Sequence, residues 1–454
     1  MAIETPADVT IVGAGLAGSL ISILLARRGH RVQMFERLGD MRRTAIPAGR
    51  SINLALAARG IRALELAGVM PDVLPLLIPM RGRMLHAVDG SLSFMPYGQR
   101  DHEVIYSVSR PGLNRVLLDA AEAAGVDLHF GNALVNADIP SRKFLFEEVS
   151  SGAHHEVSTL LTIGADGAGS VLRHALVEQL GFTCSEQLLP HRYKELTLPP
   201  RADGRHRIEK NALHIWPRGG FMLIALPNID GSFTVTLFLP VQGNDSFESL
   251  MQPGSVDAFF AKHFSDVREL MPDLVKEFSE NPAGVMGTIR CGRWAVDGEI
   301  LLIGDAAHAI TPFHGQGMNC AFEDCAELDA WVDKVDDWHD VFKEFQDVRK
   351  PNTEAIADMA LENYVEMRDT VRDPNFMLQK ALSLELEKRF PDHFVPRYSM
   401  VMFHDEIPYA VAFQRGKIQS QILDELTRNA QSLSDVDFEA AAMLVKAKLR
   451  PLAS

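Results

Sequence analysis

Val9-Thr10-Ile11-Val12-Gly13-Ala14-Gly15-Leu16-Ala17-Gly18 is the stretch that decides the fold. Four strand-forming residues run into a G-x-G-x-x-G turn, and Leu16 to Arg28 then carries the apolar spacing of a helix. A second strand, Arg31 to Phe35, ends in Glu36, which lies 18 positions after Gly18. An acid at that offset meets an adenosine ribose in dinucleotide-binding βαβ units. Gly13, Gly15, Leu16, Ala17 and Gly18 therefore form a cradle for a pyrophosphate at a helix N-terminus, with Glu36 and the adjoining Arg37 at the ribose end. The Glu36 carboxylate would repel a 2′-phosphate, so this slot suits FAD or NAD rather than NADP.

Working outward, a second anion-favouring turn follows the apolar run Ile300 to Ile303. It reads Gly304-Asp305-Ala306-Ala307-His308 and continues through Pro312-Phe313-His314-Gly315-Gln316-Gly317-Met318-Asn319. Asp305 is placed to accept the ribityl hydroxyls of FAD, and Gly317, Met318 and Asn319 open a helix toward its isoalloxazine. Arg110, with Leu113 and Leu117 on a predicted helix, is positioned to reach the pyrophosphate. Leu161 to Gly167, with Asp166 in the turn and Ser170 and Arg173 after it, forms another strand-to-turn unit. No second complete G-x-G-x-x-G occurs, so a nicotinamide cofactor has no Rossmann domain of its own and would visit beside the Asp166 turn. Arg42, Arg43 and Arg50 are open to two readings, contacts to a 2′-phosphate or ordinary solvated charges. These motifs, in this order, resemble the single-component (class A) flavoprotein aromatic hydroxylases.

Composition agrees with an enzyme of two or three domains: 454 residues, 46% of them hydrophobic, supply a sizeable core. The net charge of −15 disfavours nucleic acid, whose binding rests on neutralising phosphates. Cys184, Cys291, Cys320 and Cys325 show neither a C-x-x-C pair nor zinc spacing, so reduced buried thiols in a cytoplasm are expected and no metal site is assigned. Val9 to Ala26 is uncharged for 18 residues, but its glycines divide it into strand, turn and helix, and acids rather than Lys or Arg precede it. Neither a membrane span nor a targeting peptide is expected.

The expected architecture is α/β. A Rossmann-like FAD-binding domain of the hydroxybenzoate-hydroxylase type takes residues 1–75, 106–182 and 290–375; an antiparallel-sheet substrate domain takes 76–105 and 183–289; a helical region takes 376–454. Asn211 to Trp216, Phe221 to Leu226 and Ser232 to Leu239 read as strands separated by hairpin turns at 217–220 and 228–231. Met222, Ile224 and Leu226 share one face, as do Thr236 and Phe238 on the next strand. Either face is open to being core or pocket, and these five are taken as substrate-binding candidates.

At a finer grain the chain is similar to the kynurenine 3-monooxygenase family from about Asp8 to its end. The resemblance is carried by Arg81-Gly82-Arg83-Met84, Pro96-Tyr97-Gly98, Tyr193 to Leu196, Asn211 to Pro217, Phe313 to Cys320, Leu361 to Met367 and Pro396 to Val401. The chain lacks the hydrophobic C-terminal anchor of membrane-bound animal members, so the soluble bacterial form is the expected relative. The resemblance implies that Arg83, Tyr97 and Tyr398 hold the α-carboxylate of L-kynurenine, with Asn363 nearby. Pro312, Phe313, His314, Gln316 and Met367 complete the candidate pocket. It further implies that NADPH reduces FAD and that O2 then forms a C4a-hydroperoxide, which hydroxylates the ring ortho to the aniline nitrogen. No side-chain acid or base is assigned: His314 is open to being a proton carrier or a structural imidazole. A hydroxylase of another aromatic acid, of the phenol or salicylate type, is the alternative. Oxidation of a C–N bond without NADPH and a non-enzymatic flavin-bearing protein are more distant readings. Oligomeric state is silent, with a homodimer left open.

Overall fold

The computed structural model describes residues 7–43, 53–368 and 374–452. Arg50 lies outside the described residues. The chain divides into two compact units: 1–77, 108–189 and 286–354 form one, and 78–107, 190–285 and 355–454 form the other. The C-terminal helices thus group with the antiparallel sheet.

The first unit is built on a six-stranded sheet. Its order is Ala295–Val296, Ile300–Leu302, Leu161–Gly164, Val9–Val12, Val32–Glu36 and Asp127–Phe130. All neighbours are parallel except the Ala295–Val296 edge. Val9, Ile11, Leu161 and Ile163 are buried, as continuous apolar runs in a parallel sheet covered on both faces must be. The helices Leu16–Arg27, Arg110–Ala123 and Gly317–Lys334 belong to this unit. Not all of 110–180 returns to the parallel sheet. Asn132–Asp138, Lys143–Glu148 and Ala153–Ser158 form a separate three-stranded antiparallel sheet. The four cysteines are free; Cys184 and Cys291 bring their sulfurs to 3.3 Å, and only Cys184 is partly exposed.

The second unit holds most of a seven-stranded sheet, two of whose strands begin or end in residues of the first. Its order is Ala283–Cys291, Cys184–Leu198, Phe233–Pro240, Met222–Pro227, Leu213–Pro217, Gly82–His86 and Leu92–Pro96. Both expected hairpins are present: Arg218 N–H donates to Phe221 O, and Asn228 N–H to Ser232 O. Gly219, Gly220 and Gly231 take the positive φ that these turns need. Strand alternation then sorts the two faces. Trp216, Leu223, Ala225, Val235 and Leu237 share one core with Phe259, Phe260 and Phe264, each fully buried apolar side chain contributing about 1.5–3 kcal/mol. Helices Pro374–Arg389, Tyr409–Thr427 and Phe438–Lys448 pack around Leu382, Leu386, Ile422, Ala441 and Val445. No described helix is long and apolar enough to cross a membrane.

Candidate active site

Three motif turns of the first unit lie at the C-terminal ends of adjacent parallel strands. Val12 leads into Gly13, Gly164 into Asp166, and Leu302 into Gly304. Backbone hydrogen bonds lace these ends together: Ala165 N–H donates to Val12 O, Ile303 N–H to Gly164 O, and Gly13 N–H to Phe35 O. A crevice at strand C-termini is where open α/β sheets take ligands.

The glycines have separate jobs. Gly13 sits at φ +101, and a Cβ there would fall 2.5 Å from Ala165 O; one on Gly18 would fall 1.9 Å from Gly13 O. Both positions are closed by protein. Gly15, at the helix N-cap, would present a Cβ to open space, with no heavy atom within 4 Å. Protein packing leaves that position free while the N-terminal N–H groups of the Leu16–Arg27 helix point toward it, as an anion site requires. A Cβ on Gly304 would meet Ala17 and Ala321 at 3.5 and 3.3 Å, so the Asp305 turn lies against the first helix.

Around this cradle, Glu36 accepts from Ala14 N–H and Leu38 N–H, both at 2.8 Å. Its carboxylate thereby braces the glycine turn. Arg37 is exposed, and so is Arg110 at the start of its helix. Asp305 is exposed and makes no ion pair among the described residues. Asp166 is partly buried; burial pushes its pKa up, and its Oδ1 has no hydrogen-bond partner. Asn114, which the motif reading passed over, donates to Ala14 O at 3.1 Å and leaves its buried Oδ1 unpartnered. Its signal was available as the polar residue inside Arg110-x-x-Leu113-Asn114. An open helix N-terminus, two acids and an orphaned amide oxygen suit a dinucleotide with hydroxyl donors, and the residues fit FAD.

Beyond Asp305, Pro312 is exposed while Phe313, His314, Gln316 and Met318 are buried, and Gly317 is partly so. Asn319 accepts from Ala57 N–H and donates to Ala55 O and Gly315 O. With its amide used this way, it clamps the turn before the Ala58–Leu66 helix to the start of the Gly317–Lys334 helix. Arg42 is engaged by Asp40, Asp119 and Glu122, whereas Arg43 is highly exposed and, among the described residues, pairs with Asp40 alone, at 3.5 Å.

The second unit gathers the candidate carboxylate site. Register pairs Arg83 with Leu213, Ile215 with Ile224, Ile224 with Thr236, and Met222 with Phe238. Cross-strand partners share a face, so Arg83, Met222, Ile224, Leu226, Thr236 and Phe238 all project from the face opposite the Phe260 core. At one end of this apolar ladder, Arg83 is 7% exposed. Its guanidinium lies 5.1 Å from the Tyr398 ring centroid and 6.0 Å from that of Tyr97, and Tyr97 and Tyr398 stack at 5.3 Å. Burial opposes its charge, but Tyr398 and Glu366 outweigh that and hold its pKa above the ordinary value. The buried Tyr97 hydroxyl lies near both groups without closing a hydrogen bond.

Two further charged groups complete the site, and neither was assigned from sequence. Glu366 pairs with Arg83 at 3.1 Å. It follows Asn363 by three positions and precedes Met367 by one, so all three lie on one helical face; Asn363 donates to the Met367 sulfur. Lys380, partly buried, stands 5.3 Å over the Tyr398 ring, and burial lowers its pKa to about 8. Arg83 and Lys380 thus stand as two cations beside Glu366, with Arg397 and Glu387 further contributing to the field at Lys380.

A family model described as an FAD binding domain matches residues 6–332. The chain is 47% identical over 444 residues to a kynurenine 3-monooxygenase of Myxococcus xanthus, covering 98% of this chain and 96% of the relative. It is also 47% identical to a kynurenine 3-monooxygenase of Stenotrophomonas maltophilia, covering 97% of each. Among solved structures, the tetrameric form of 2-methyl-3-hydroxypyridine-5-carboxylic acid oxygenase superposes with a TM-score of 0.65 at 20% identity, covering 84% of this chain and 96% of that one. PqsL of P. aeruginosa, in complex with 2-aminobenzoylacetate, gives 0.65 at 21%, covering 81% and 98%. These two share the fold of the present chain. Identity at this level across nearly the whole length, together with the flavin cradle, leads to one conclusion: the chain belongs to the kynurenine 3-monooxygenase family of FAD-binding flavoprotein monooxygenases.

Proposed function

We propose that this protein hydroxylates L-kynurenine to 3-hydroxykynurenine with NADPH and O2. The observation that carries the substrate assignment is the buried Arg83 beside the unpartnered Tyr97 hydroxyl, set at one end of an apolar ladder. That arrangement suits a flat aromatic molecule with a carboxylate at one end, because a buried guanidinium pairs most strongly with a planar anion. Glu366 favours an amino acid over a simple aromatic acid, since a substrate ammonium can take the carboxylate that Arg83 holds in the free protein.

A bound FAD would supply the two-electron redox chemistry that links NADPH to the reduction of O2 and the transfer of one oxygen atom to the ring. The aniline nitrogen of the substrate already donates electron density to the ortho carbon, so the side chains orient rather than activate. Arg83, Tyr97 and Tyr398 anchor the carboxylate. Met222, Ile224, Leu226, Thr236 and Phe238 hold the ring and exclude water. In the first unit, the Gly13–Gly18 turn takes the pyrophosphate, while Glu36 and Asp305 take hydroxyls of ribose and ribityl chain.

The test is NADPH consumption by the FAD-loaded protein with and without L-kynurenine, with the product weighed by mass spectrometry. Substrate-stimulated consumption and a gain of one oxygen are expected. Consumption that yields only peroxide would make kynurenine an effector and reassign the substrate.

A further inference from the structure

The Asp305 turn is gripped from beneath by a buried charge network. Gly304 N–H donates to Asp324 Oδ2 at 2.9 Å, and His308 Nε2 donates to the same oxygen at 2.6 Å. The other oxygen, Oδ1, accepts from Arg349 Nε at 2.8 Å. Arg349 continues to Glu323 and to Cys320 O, and Glu323 also pairs with Arg59. Asp324 is 0% exposed, and Arg349, Arg59 and His308 are buried.

One carboxylate therefore closes both ends of a five-residue turn. It binds the peptide N–H that precedes Asp305 and the imidazole three residues after it. Gly304, at φ +56 and ψ −142, adopts a conformation reserved for glycine. Arg173 fixes the next peptide by donating to Ala306 O at 3.1 Å. With its neighbours pinned inward, Asp305 is left as the exposed side chain of the turn. His308, Cys320 and Asp324 also bring ligand-type atoms within 4.8 Å of one another. The Arg349 guanidinium, bonded to Asp324 and to Cys320 Sγ, already supplies the positive charge there.

We infer that Asp324 is a positioning residue for FAD, holding the Gly304–His308 turn so that Asp305 faces the cofactor. This rests on the proposed contact between Asp305 and the ribityl chain. Burial works against a charge on His308, but Asp324 outweighs it and the imidazole pKa rises to about 10. The groups facing His308 are Asp324 and Cys320 from one helix and Arg349 from another, with the Trp294 ring at 4.9 Å.

FAD affinity of the apo-protein, read by quenching of flavin fluorescence, tests this. Asp324→Asn is expected to weaken FAD about tenfold. Asp305→Ala is expected to weaken it as well, and the double variant to bind no worse than the weaker single one, because both changes act on one contact. Wild-type affinity should be flat from pH 6 to 9, because Asp324 keeps the His308 imidazole charged there, whereas Asp324→Asn, whose buried imidazole has lost its counter-ion and stays neutral over that range, should bind FAD more weakly throughout it. Should Asp324→Asn fail to fold, His308→Gln keeps a donor but no charge, and is expected to weaken FAD non-additively with Asp305→Ala. Additive effects, or an Asp324→Asn protein with wild-type affinity, would overturn the inference. Unchanged affinity in Asp305→Ala alone would instead remove the ribityl contact on which it rests.

Discussion

Arg83 is worth most at the scale of single residues because it is buried with one acid and two tyrosines. Replacing it by alanine removes the ion-pair partner of Glu366 and the proposed partner of the substrate carboxylate. The cost is about 2–5 kcal/mol, so kynurenine affinity measured by flavin absorbance changes should drop at least tenfold. An Arg83→Ala protein that binds kynurenine normally would dissolve the carboxylate assignment. Lys380 gives the site a pH response. Its pKa, lowered by burial to about 8, means that its charge disappears as pH climbs through 8. Kynurenine Kd should rise over that interval, and Lys380→Met should remove the dependence while raising Kd at pH 7. Retention of the same alkaline limb in Lys380→Met would assign it to another group. Arg83 was legible as a cation in a motif. Glu366 and Lys380 were not, because an ion pair between residues nearly three hundred positions apart exists only once a strand and a helix have met.

Among the elements, the strand pair Gly82–His86 and Leu213–Pro217 contains its own acid sensor. His214 donates from Nε2 to Glu209 O at 2.7 Å, and its Nδ1 lies 2.8 Å from His86 Nε2. His86 in turn donates to Asp266, as does the Trp216 indole. Burial lowers the His214 pKa from 6.5 to about 4. The unfolded chain takes up a proton near pH 6.5 that the folded chain refuses until about pH 4. The stability from this site is thus complete above 6.5 and lost on acidification between those values, by roughly 3 kcal/mol in all. Denaturant midpoints followed by tryptophan fluorescence should fall across that window, and His214→Phe should flatten the fall. An equal slope in the variant would place the acid sensitivity elsewhere. The hairpins around these strands were readable because Gly219, Gly220 and Gly231 mark their turns. The 132–158 meander was not separated from the parallel sheet, since its mixed polar and apolar residues, from Leu134 to Val157, show alternation without saying which sheet they join.

For the whole molecule, net charge sets an approach condition. A chain carrying −15 repels NADPH, itself a polyanion, over distances beyond a few ångströms. Added salt screens that repulsion, so the second-order rate of flavin reduction by NADPH should rise by about two- to threefold between 0.01 and 0.15 M ionic strength. A rate that falls with salt would point to a local cationic path that dominates the far field. The unit organisation was only partly legible. The return of the chain to the flavin unit near Trp294 could be read from the Gly304-Asp305 motif, but the grouping of the C-terminal helices with the antiparallel sheet depends on packing that no local pattern encodes.

Each unit is assembled from three separated stretches of chain, which has a consequence for synthesis on the ribosome. Strand Val9–Val12 emerges early, yet Leu161–Gly164 receives its Ile300–Leu302 neighbour only after much of the chain has been made. Between Gly18 and Asp305 lie roughly 290 residues, on the order of 15 to 60 s of translation at about 5–20 residues per second. During that interval an apolar strand edge waits unpaired, open to chaperones and to other nascent chains. Cofactor capture at the proposed site, which needs both the Gly18 and the Asp305 turns, would then be a late event in the life of the chain, and abundant FAD would do nothing for one stalled before Asp305 is made.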